Sequence, residues 1–297
     1  MHLIFFFLLL LWFSAHVQVL GYDLLDVCLN QPDKLATTAY YQPAILVTQL
    51  ATASCRSDKI KSGPVSATAG FSLGEYSALI HSGALTLEDG VKLVSVRALA
   101  MQGAANESSG GMVTVVGLSD EKLETLCNDA ATACALPLNA SLNNMPESLQ
   151  IANYLFPNGR VLSGHASLVA WVVAHAAEPK YGAMAATKLS VAGAFHSPYM
   201  QPARQALQDA LNDVSLKMPE MPCYSNVTAL PYTSVEEIRS LLVQQLESPV
   251  KWEQTVKAML ASGAVSSFVD AGPGMQLKSM IRRIHMPSFK NTVVLDM

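Results

Sequence analysis

A serine at a tight turn is the first residue of this sequence that suggests chemistry. Ser72 lies in the pentapeptide "GFSLG" at 70–74, after strand-like residues 65–69 and before helix-forming residues that run to about position 82. A Gly-x-Ser-x-Gly sequence between a strand and a helix is typical of a nucleophile elbow, where glycines avoid clashes around a strained serine. The following helix would direct the Leu73 amide toward a developing oxyanion. A chance occurrence of so short a pattern is the alternative.

A nucleophilic serine needs a general base, and histidine is the usual one. Among the seven histidines, His196 in "VAGAFHSPYM" follows a strand-like run and precedes a Ser-Pro pair that begins a helix. A histidine on such a loop is well placed to reach a neighbouring elbow, whereas His81 lies too far along the elbow helix to turn back. His196 is therefore a candidate for the base. The alternative is a surface histidine at a helix N-terminus.

An arginine lies on the apolar side of the next long helix. Arg97 follows Val94 by three residues and precedes Met101 by four, within a stripe of apolar residues. A buried arginine needs an anionic partner. Two hypotheses are open at this point: an internal salt bridge to Glu75 or Asp270, or a bidentate clamp for a substrate carboxylate.

The elements that must position these residues follow an α/β pattern. Residues 36–55 are predicted to be helical, and Thr86 with Asp89 predicts a capping box at the start of the long helix, which would end near position 102. Ser248 and Pro249 predict a further helix, as its N-cap and first residue.

A smaller unit interrupts this pattern at about residues 106–190. Its strand-like and helical segments follow a β-α-β-β-α-β order, which is typical of a ferredoxin-like unit. We therefore expect a main α/β domain with one insert.

The composition favours a large buried core and excludes several kinds of partner. Apolar residues make up 51% of the 297 residues and charged residues only 14%, which argues against disorder. The net charge of −4 and the lack of basic clusters argue against a nucleic-acid surface. Five scattered cysteines predict reduced thiols rather than a disulfide framework or a zinc site.

The N-terminal segment, residues 1–20, differs from the rest of the chain. The apolar run Leu3–Phe13 has the length of a signal-peptide core and is too short to span a bilayer comfortably, but no lysine or arginine precedes it. A targeting segment and a wrongly predicted gene start are the two interpretations. Three Asn-x-Ser/Thr sequences, at Asn106, Asn139 and Asn226, would matter only in a secreted chain.

Several separated motifs together resemble one enzyme family. Four features look like those of the malonyl-CoA:acyl-carrier-protein transacylases: "GFSLGEYSAL", Arg97 at its distance from the serine, "GAFHSPYMQPA" and "QQLESPVKWEQT". "GYDLLDVCLNQPDKLATTAYYQPAI" and "NYLFPNGRVLSGH" resemble the mitochondrial type, and the resemblance runs from about residue 19 to the C-terminus. It implies an α/β-hydrolase-like core, residues 21–105 and 191–297, with an inserted ferredoxin-like subdomain at 106–190.

The resemblance also implies roles for individual residues. The catalytic residues would be Ser72, His196, Leu73 and Gln245, and the substrate-binding residues would be Arg97, Met101 and Phe195. Ser72 would be the nucleophile, with His196 as its base. Gln245 would orient His196 through its backbone carbonyl, so that the site is a dyad. Arg97 would bind the malonyl carboxylate, and Phe195 resembles the residue of malonyl-selective members.

The implied reaction moves a malonyl group from malonyl-CoA to the phosphopantetheine thiol of acyl carrier protein, through a malonyl-serine ester, for fatty acid biosynthesis. The resemblance implies no cofactor and no metal, a mitochondrial location and a monomer without a stable membrane span. A serine hydrolase, with water as the acceptor, and an inactive truncated homologue are the alternatives.

One departure from the family lies at the N-terminus. The family begins with a strand and a Gly-Gln-Gly-Ser-Gln loop, whose first glutamine completes the oxyanion hole. In this sequence "MHLIFFFLLLLWFSAHVQ" stands in that place. Because one oxyanion donor is worth about 10²–10³ in rate, we expect at most weak activity of the chain as written.

Overall fold

Helices dominate the first part of the chain in this computed structural model, which describes residues 17–56, 65–134 and 149–295. The elements are α1 (Val17–Leu20), α2 (Leu24–Asn30), α3 (Pro32–Leu35), α4 (Thr38–Cys55), β1 (Thr68–Ala69), α5 (Gly74–His81) and α6 (Leu87–Asn106). The order predicted around Ser72 is confirmed, with strand β1 before it and helix α5 after it. The predicted apolar run Leu3–Phe13 lies outside the described residues.

Helix α6 begins where its capping residue predicts. The Thr86 hydroxyl accepts a hydrogen bond from the Asp89 amide at 3.1 Å, which satisfies one of the free amides of the first turn. The helix continues to Asn106, past the predicted end near position 102. Its buried face, which includes Arg97 and Met101, packs against α4.

Between Gly110 and Lys188, a segment called the insert below, the elements follow the predicted β-α-β-β-α-β order. Its elements are β2 (Gly110–Val116), α7 (Asp120–Ala133), β3 (Gln150–Phe156), β4 (Gly159–His165), α8 (Ala166–His175) and β5 (Ala185–Lys188). The four strands form one antiparallel sheet in the order β3-β4-β2-β5. Val113 and Leu162 on this sheet and Leu126 on α7 are fully buried in one apolar cluster, which gives the insert its own core.

The last part of the described chain returns to helices and short strands. A 3₁₀-helix (Pro198–Ala203) leads into α9 (Arg204–Asn212), β6 (Cys223–Tyr224), α10 (Val235–Gln244), α11 (Trp252–Ala261), β7 (Val269–Asp270), α12 (Gln276–Ile284), α13 (Met286–Lys290) and β8 (Val293–Val294). Strand β6 pairs in parallel with β1, so the two chain segments on either side of the insert meet beside Ser72. A second parallel pair joins β7 and β8. None of the helices in the described ranges is long and apolar enough to cross a membrane.

The helix predicted to begin at Ser248 and Pro249 is wrong. Helix α11 begins at Trp252, with Lys251 as its N-cap. The reason is a tertiary contact, because Val250 donates a backbone hydrogen bond to Ala152 at 2.8 Å and accepts one from Tyr154 at 2.9 Å. These bonds hold residue 250 extended against strand β3 of the insert.

Candidate active site

The backbone around Ser72 has the strained geometry of an elbow. Ser72 has a φ of 51°, a conformation that side-chain-bearing residues adopt rarely. A Cβ added at Gly70 would lie 1.8 Å from the Gly74 carbonyl oxygen, so only glycine fits at position 70. At Gly74 an added Cβ would meet nothing within 4 Å. The prediction that both glycines avoid a clash is therefore right for Gly70 and wrong for Gly74. The Gly74 carbonyl is the group that approaches position 70, and a side chain at position 74 would not clash.

The Asn226 side chain bridges the elbow from the end of strand β6. Its Nδ2 donates to the Gly70 carbonyl at 2.7 Å, and its Oδ1 accepts from the Ser72 amide at 2.6 Å. Asn226 is fully buried. The two bonds fix the peptide groups on both sides of Phe71, and they help to maintain the strained conformation at Ser72.

His196 lies against the serine as the sequence predicts. Its Nε2 is 2.8 Å from the Ser72 hydroxyl oxygen, and its Nδ1 is 2.8 Å from the Gln245 carbonyl oxygen. A carbonyl oxygen only accepts, so Nδ1 carries the proton and Nε2 presents a lone pair to the serine hydroxyl. The side-chain Nε2 of Gln150, on strand β3, donates to the His196 carbonyl at 3.0 Å, so the insert also helps to hold this residue.

The alternative of a surface histidine is wrong, because His196 is only 4% exposed. Burial, together with the positive charge of Arg97, lowers the pKa of His196 from 6.5 to about 4, although its hydrogen bond to the Gln245 carbonyl opposes the shift. The imidazole is therefore neutral at physiological pH, which is the form that can accept the serine proton.

Arg97 projects from α6 into the same group of side chains. Its Nη2 donates to the Ser72 hydroxyl at 3.1 Å and to Gln245 Oε1 at 2.9 Å, and its Nη1 donates to Gln42 Oε1 at 2.5 Å. The guanidinium is buried, and Nε has no hydrogen-bond partner among residues 17–56, 65–134 and 149–295. All the acceptors are neutral oxygens, and within the described residues Arg97 makes no ion pair.

The hypothesis of an internal salt bridge from Arg97 to Glu75 or Asp270 is therefore wrong. Asp270 instead accepts hydrogen bonds from the backbone amides of Gly272 and Lys278. Glu75 is held by other donors, and the amide of Gln245 stands between it and the guanidinium. A buried cation without a bound carboxylate retains the capacity to pair with an anion from outside the chain.

The remaining predicted site residues are Leu73, Met101 and Phe195. Leu73 follows Ser72 directly, and its amide makes no hydrogen bond within the part of the chain that the structure describes. Met101 is buried, and its sulfur accepts a hydrogen bond from the Gln42 amide at 3.6 Å. Phe195 is buried next to His196 in the sequence. The structure thus connects Met101 to Arg97 through Gln42.

Sequence reasoning missed three polar side chains at this site. Gln42 and Asn226 were not singled out for the site, and Glu75 was considered only as a partner of Arg97. Glu75 is fully buried and accepts hydrogen bonds from Tyr232, Gln245 and Asn226. Burial raises the pKa of Glu75 to about 7, against the opposing effect of these donors and of Arg97. A glutamine inside the apolar helical stretch 38–55 was the available signal for Gln42.

Comparisons with known proteins find relatives that match most of the chain. The profile of the acyl transferase domain matches residues 14–285. The mitochondrial malonyl-CoA-acyl carrier protein transacylase of Homo sapiens is 36% identical over 291 residues, which are 96% of this chain and 73% of the relative. A probable mitochondrial transacylase of the same name from Drosophila melanogaster is 35% identical, over 92% of this chain and 72% of the relative.

Solved structures match along nearly the whole chain. The malonyl CoA-acyl carrier protein transacylase of Coxiella burnetii superimposes with a TM-score of 0.85 at 31% identity, covering 97% of this chain and 85% of that one. A malonyl-transacylase in complex with a type II polyketide acyl-carrier protein gives a TM-score of 0.83 at 29% identity, covering 98% of this chain and 88% of that one. From its matched length, its identity to these relatives and its mixed α/β fold, the chain belongs to the acyl transferase domain family.

Proposed function

We propose that this chain transfers a malonyl group from malonyl-CoA to the phosphopantetheine thiol of acyl carrier protein, for fatty acid biosynthesis. The observation that carries the proposal is the position of Arg97, a buried cation in contact with the nucleophile, whose hydrogen-bond acceptors among the described residues are all neutral oxygens. The malonyl group bears a free carboxylate, which such a guanidinium can bind. The names of the relatives, malonyl-CoA-acyl carrier protein transacylases, support the same substrates.

The first half of the reaction loads Ser72. His196 Nε2 takes the hydroxyl proton as Ser72 Oγ attacks the thioester carbonyl, and the Leu73 amide donates to the resulting oxyanion. The carbon–sulfur bond then breaks, and the imidazolium returns its proton to the departing thiolate of CoA. In the second half, His196 takes the proton of the carrier thiol as its sulfur attacks the malonyl-serine carbonyl, and the imidazolium returns that proton to Ser72 Oγ as the ester bond breaks and malonyl-carrier is released.

Gln245 and Arg97 have separate roles in this proposal: Gln245 orients His196, and Arg97 binds the substrate. The main-chain carbonyl of Gln245 keeps the Nδ1 proton of His196 in place, so the correct tautomer is maintained without a third acidic residue. Arg97 holds the malonyl carboxylate, with Met101 and Phe195 as buried apolar neighbours of the acyl group. The reaction requires neither a cofactor nor a metal.

A serine hydrolase is less well supported. The elbow and the histidine are compatible with hydrolysis, but a simple esterase has no need of a buried guanidinium beside its nucleophile. An inactive homologue is also less well supported, because Ser72, His196 and Gln245 lie within hydrogen-bond distance of their partners.

The proposed architecture is an α/β-hydrolase-like core, residues 21–105 and 191–297, with a ferredoxin-like subdomain at 106–190. The strand order β3-β4-β2-β5 in an antiparallel sheet with two helices supports the second unit. The parallel pairing of β1 with β6 beside the elbow supports the first. We also propose a mitochondrial location, which the mitochondrial relatives support.

The proposal is tested by following the acyl group. Incubation with malonyl-CoA should add one malonyl mass to the protein, and adding the carrier protein should move that group to the carrier thiol. Ser72→Ala should abolish loading, whereas Ser77→Ala, on helix α5 that follows the elbow and hydrogen-bonded to Gln49, should retain it. Release of free malonate in place of malonyl-carrier would identify a hydrolase, and a wild-type chain that loads no malonyl group would refute the proposal.

A further inference from the structure

A buried carboxyl group lies behind the site without a part in the mechanism above. Glu75 is the second residue of helix α5, three positions after Ser72, and none of its surface is exposed. A buried carboxyl is costly unless its oxygens are satisfied. Three donors converge on it within the described residues: the Tyr232 hydroxyl, the Asn226 backbone N–H at 3.3 Å, and the Gln245 side-chain amide at 2.5 Å.

The bond to Gln245 determines which way that side chain faces. Gln245 Nε2 donates both to Glu75 Oε2 and to the Ser72 carbonyl at 3.0 Å. With Nε2 directed to these two acceptors, Oε1 is left facing Arg97 Nη2, from which it accepts at 2.9 Å. A reversed amide would place an N–H donor against the guanidinium, which has no acceptor.

We propose that Glu75 is a positioning residue for acyl-group selectivity: it fixes the amide of Gln245, and the amide holds Arg97 beside Ser72. The inference rests on the proposed malonyl transfer. Glu75 touches neither the reacting hydroxyl nor the imidazole in the contacts described above. Its effect reaches Arg97 through one side chain, so it should concern the substrate carboxylate more than the acylation chemistry itself.

This role makes a prediction that a purely structural role does not. A residue that acts through Arg97 lowers loading from malonyl-CoA more than loading from acetyl-CoA, which has no second carboxylate. Above pH 7, where Glu75 is ionised despite its raised pKa of about 7, Glu75→Gln exchanges a charge-assisted bond for a neutral one, so we expect the malonyl-to-acetyl ratio of kcat/KM to fall about tenfold. Gln245→Met removes the amide but keeps the main-chain carbonyl that His196 uses, and it should lower the ratio by at least as much.

A double-mutant cycle tests the route of the effect. In the Gln245→Met background, Glu75→Gln should change the ratio no further, because the group through which it acts is gone. The matched control is Tyr232→Phe, which removes another donor to the same carboxylate and leaves the bond to Gln245 intact. Its ratio should equal that of the wild type.

The outcomes separate this inference from the proposed function. If the wild type loads malonyl but Gln245→Met keeps the wild-type ratio, the inference is overturned even if Glu75→Gln does not fold. If Glu75→Gln lowers both substrates equally, or Tyr232→Phe lowers the ratio as much, Glu75 acts only on the general packing of the site. A wild-type chain that loads neither acyl group refutes the proposed function and this inference with it.

Discussion

Acyl loading of Ser72 should persist at a pH well below the ordinary pKa of histidine. Burial and the Arg97 charge lower the pKa of His196 from 6.5 to about 4. At about pH 5 a base with this lowered pKa is about 90% neutral, whereas an exposed histidine is about 3% neutral, a difference of about thirtyfold in the reactive form. We therefore expect the loading rate to change little down to about pH 5 and to fall below it.

The assay is a rapid-quench measurement of acyl-Ser72 by mass under single-turnover conditions across this pH range. Acetyl-CoA is used beside malonyl-CoA, because the acetyl group has no carboxylate that titrates. The Glu75→Gln variant is measured in parallel, since the pKa of Glu75 is raised to about 7 and its titration falls in the same range. If the loading rate falls on acidification with a midpoint near the ordinary pKa of histidine in all these experiments, the argument that burial lowers the pKa of His196 is refuted.

Three further predictions concern the elbow, the arginine and the pH dependence of folding. Gly70→Ala places a Cβ 1.8 Å from the Gly74 carbonyl oxygen, so we expect lost acyl loading and a destabilisation of about 1–3 kcal/mol or more. Gly74→Ala should keep both the loading and the stability of the wild type. Equal melting temperatures of the two variants would contradict this reasoning. Arg97→Ala should lower malonyl loading about a hundredfold and leave acetyl loading comparable or improved in a competition assay, and equal losses would mean a structural role. Buried neutral His196 contributes about 3 kcal/mol of stability that is lost as pH falls from 6.5 to about 4, while Glu75 contributes a similar amount that is lost as pH rises from 4.5 to about 7. The two contributions oppose each other in the wild type. In His196→Gln only the Glu75 contribution remains, so its free energy of unfolding, measured in urea, should decrease as pH rises from 4.5 to about 7. An increase over this pH range would contradict the pKa shift of Glu75.

The reacting groups were predictable because their signals are local. Ser72 is recognised from five consecutive residues between a strand and a helix, and His196 from its place between an extended run and a Ser-Pro pair. Arg97 is recognised by helical spacing alone, since a charge on the apolar side of α6 must be buried. Each of these signals lies within one turn or one helix.

The contacts of Asn226 and Val250 were not predictable because their partners are distant along the chain. Asn226 lies 154 residues from Ser72, and nothing in "CYSNVT" indicates that its amide bridges the elbow. The helix expected at Ser248 fails for the same reason, because the neighbouring Val250 is held by strand β3 of the insert. The sequence gives no signal for either contact, since both depend on how separate elements pack.

The burial of Asn226 also has a consequence for where this protein can be made. Asn226, Val227 and Thr228 form an acceptor sequence for N-linked sugar, and oligosaccharide transfer takes place on Nδ2. In the folded chain that same atom donates to the Gly70 carbonyl from a fully buried position. A glycan added to the nascent chain would occupy the nitrogen and exclude β6 from its place against β1. Glycosylation of Asn226 and the folded elbow are therefore mutually exclusive. If the chain were synthesised into the secretory pathway, a glycan on Asn226 would prevent it from folding.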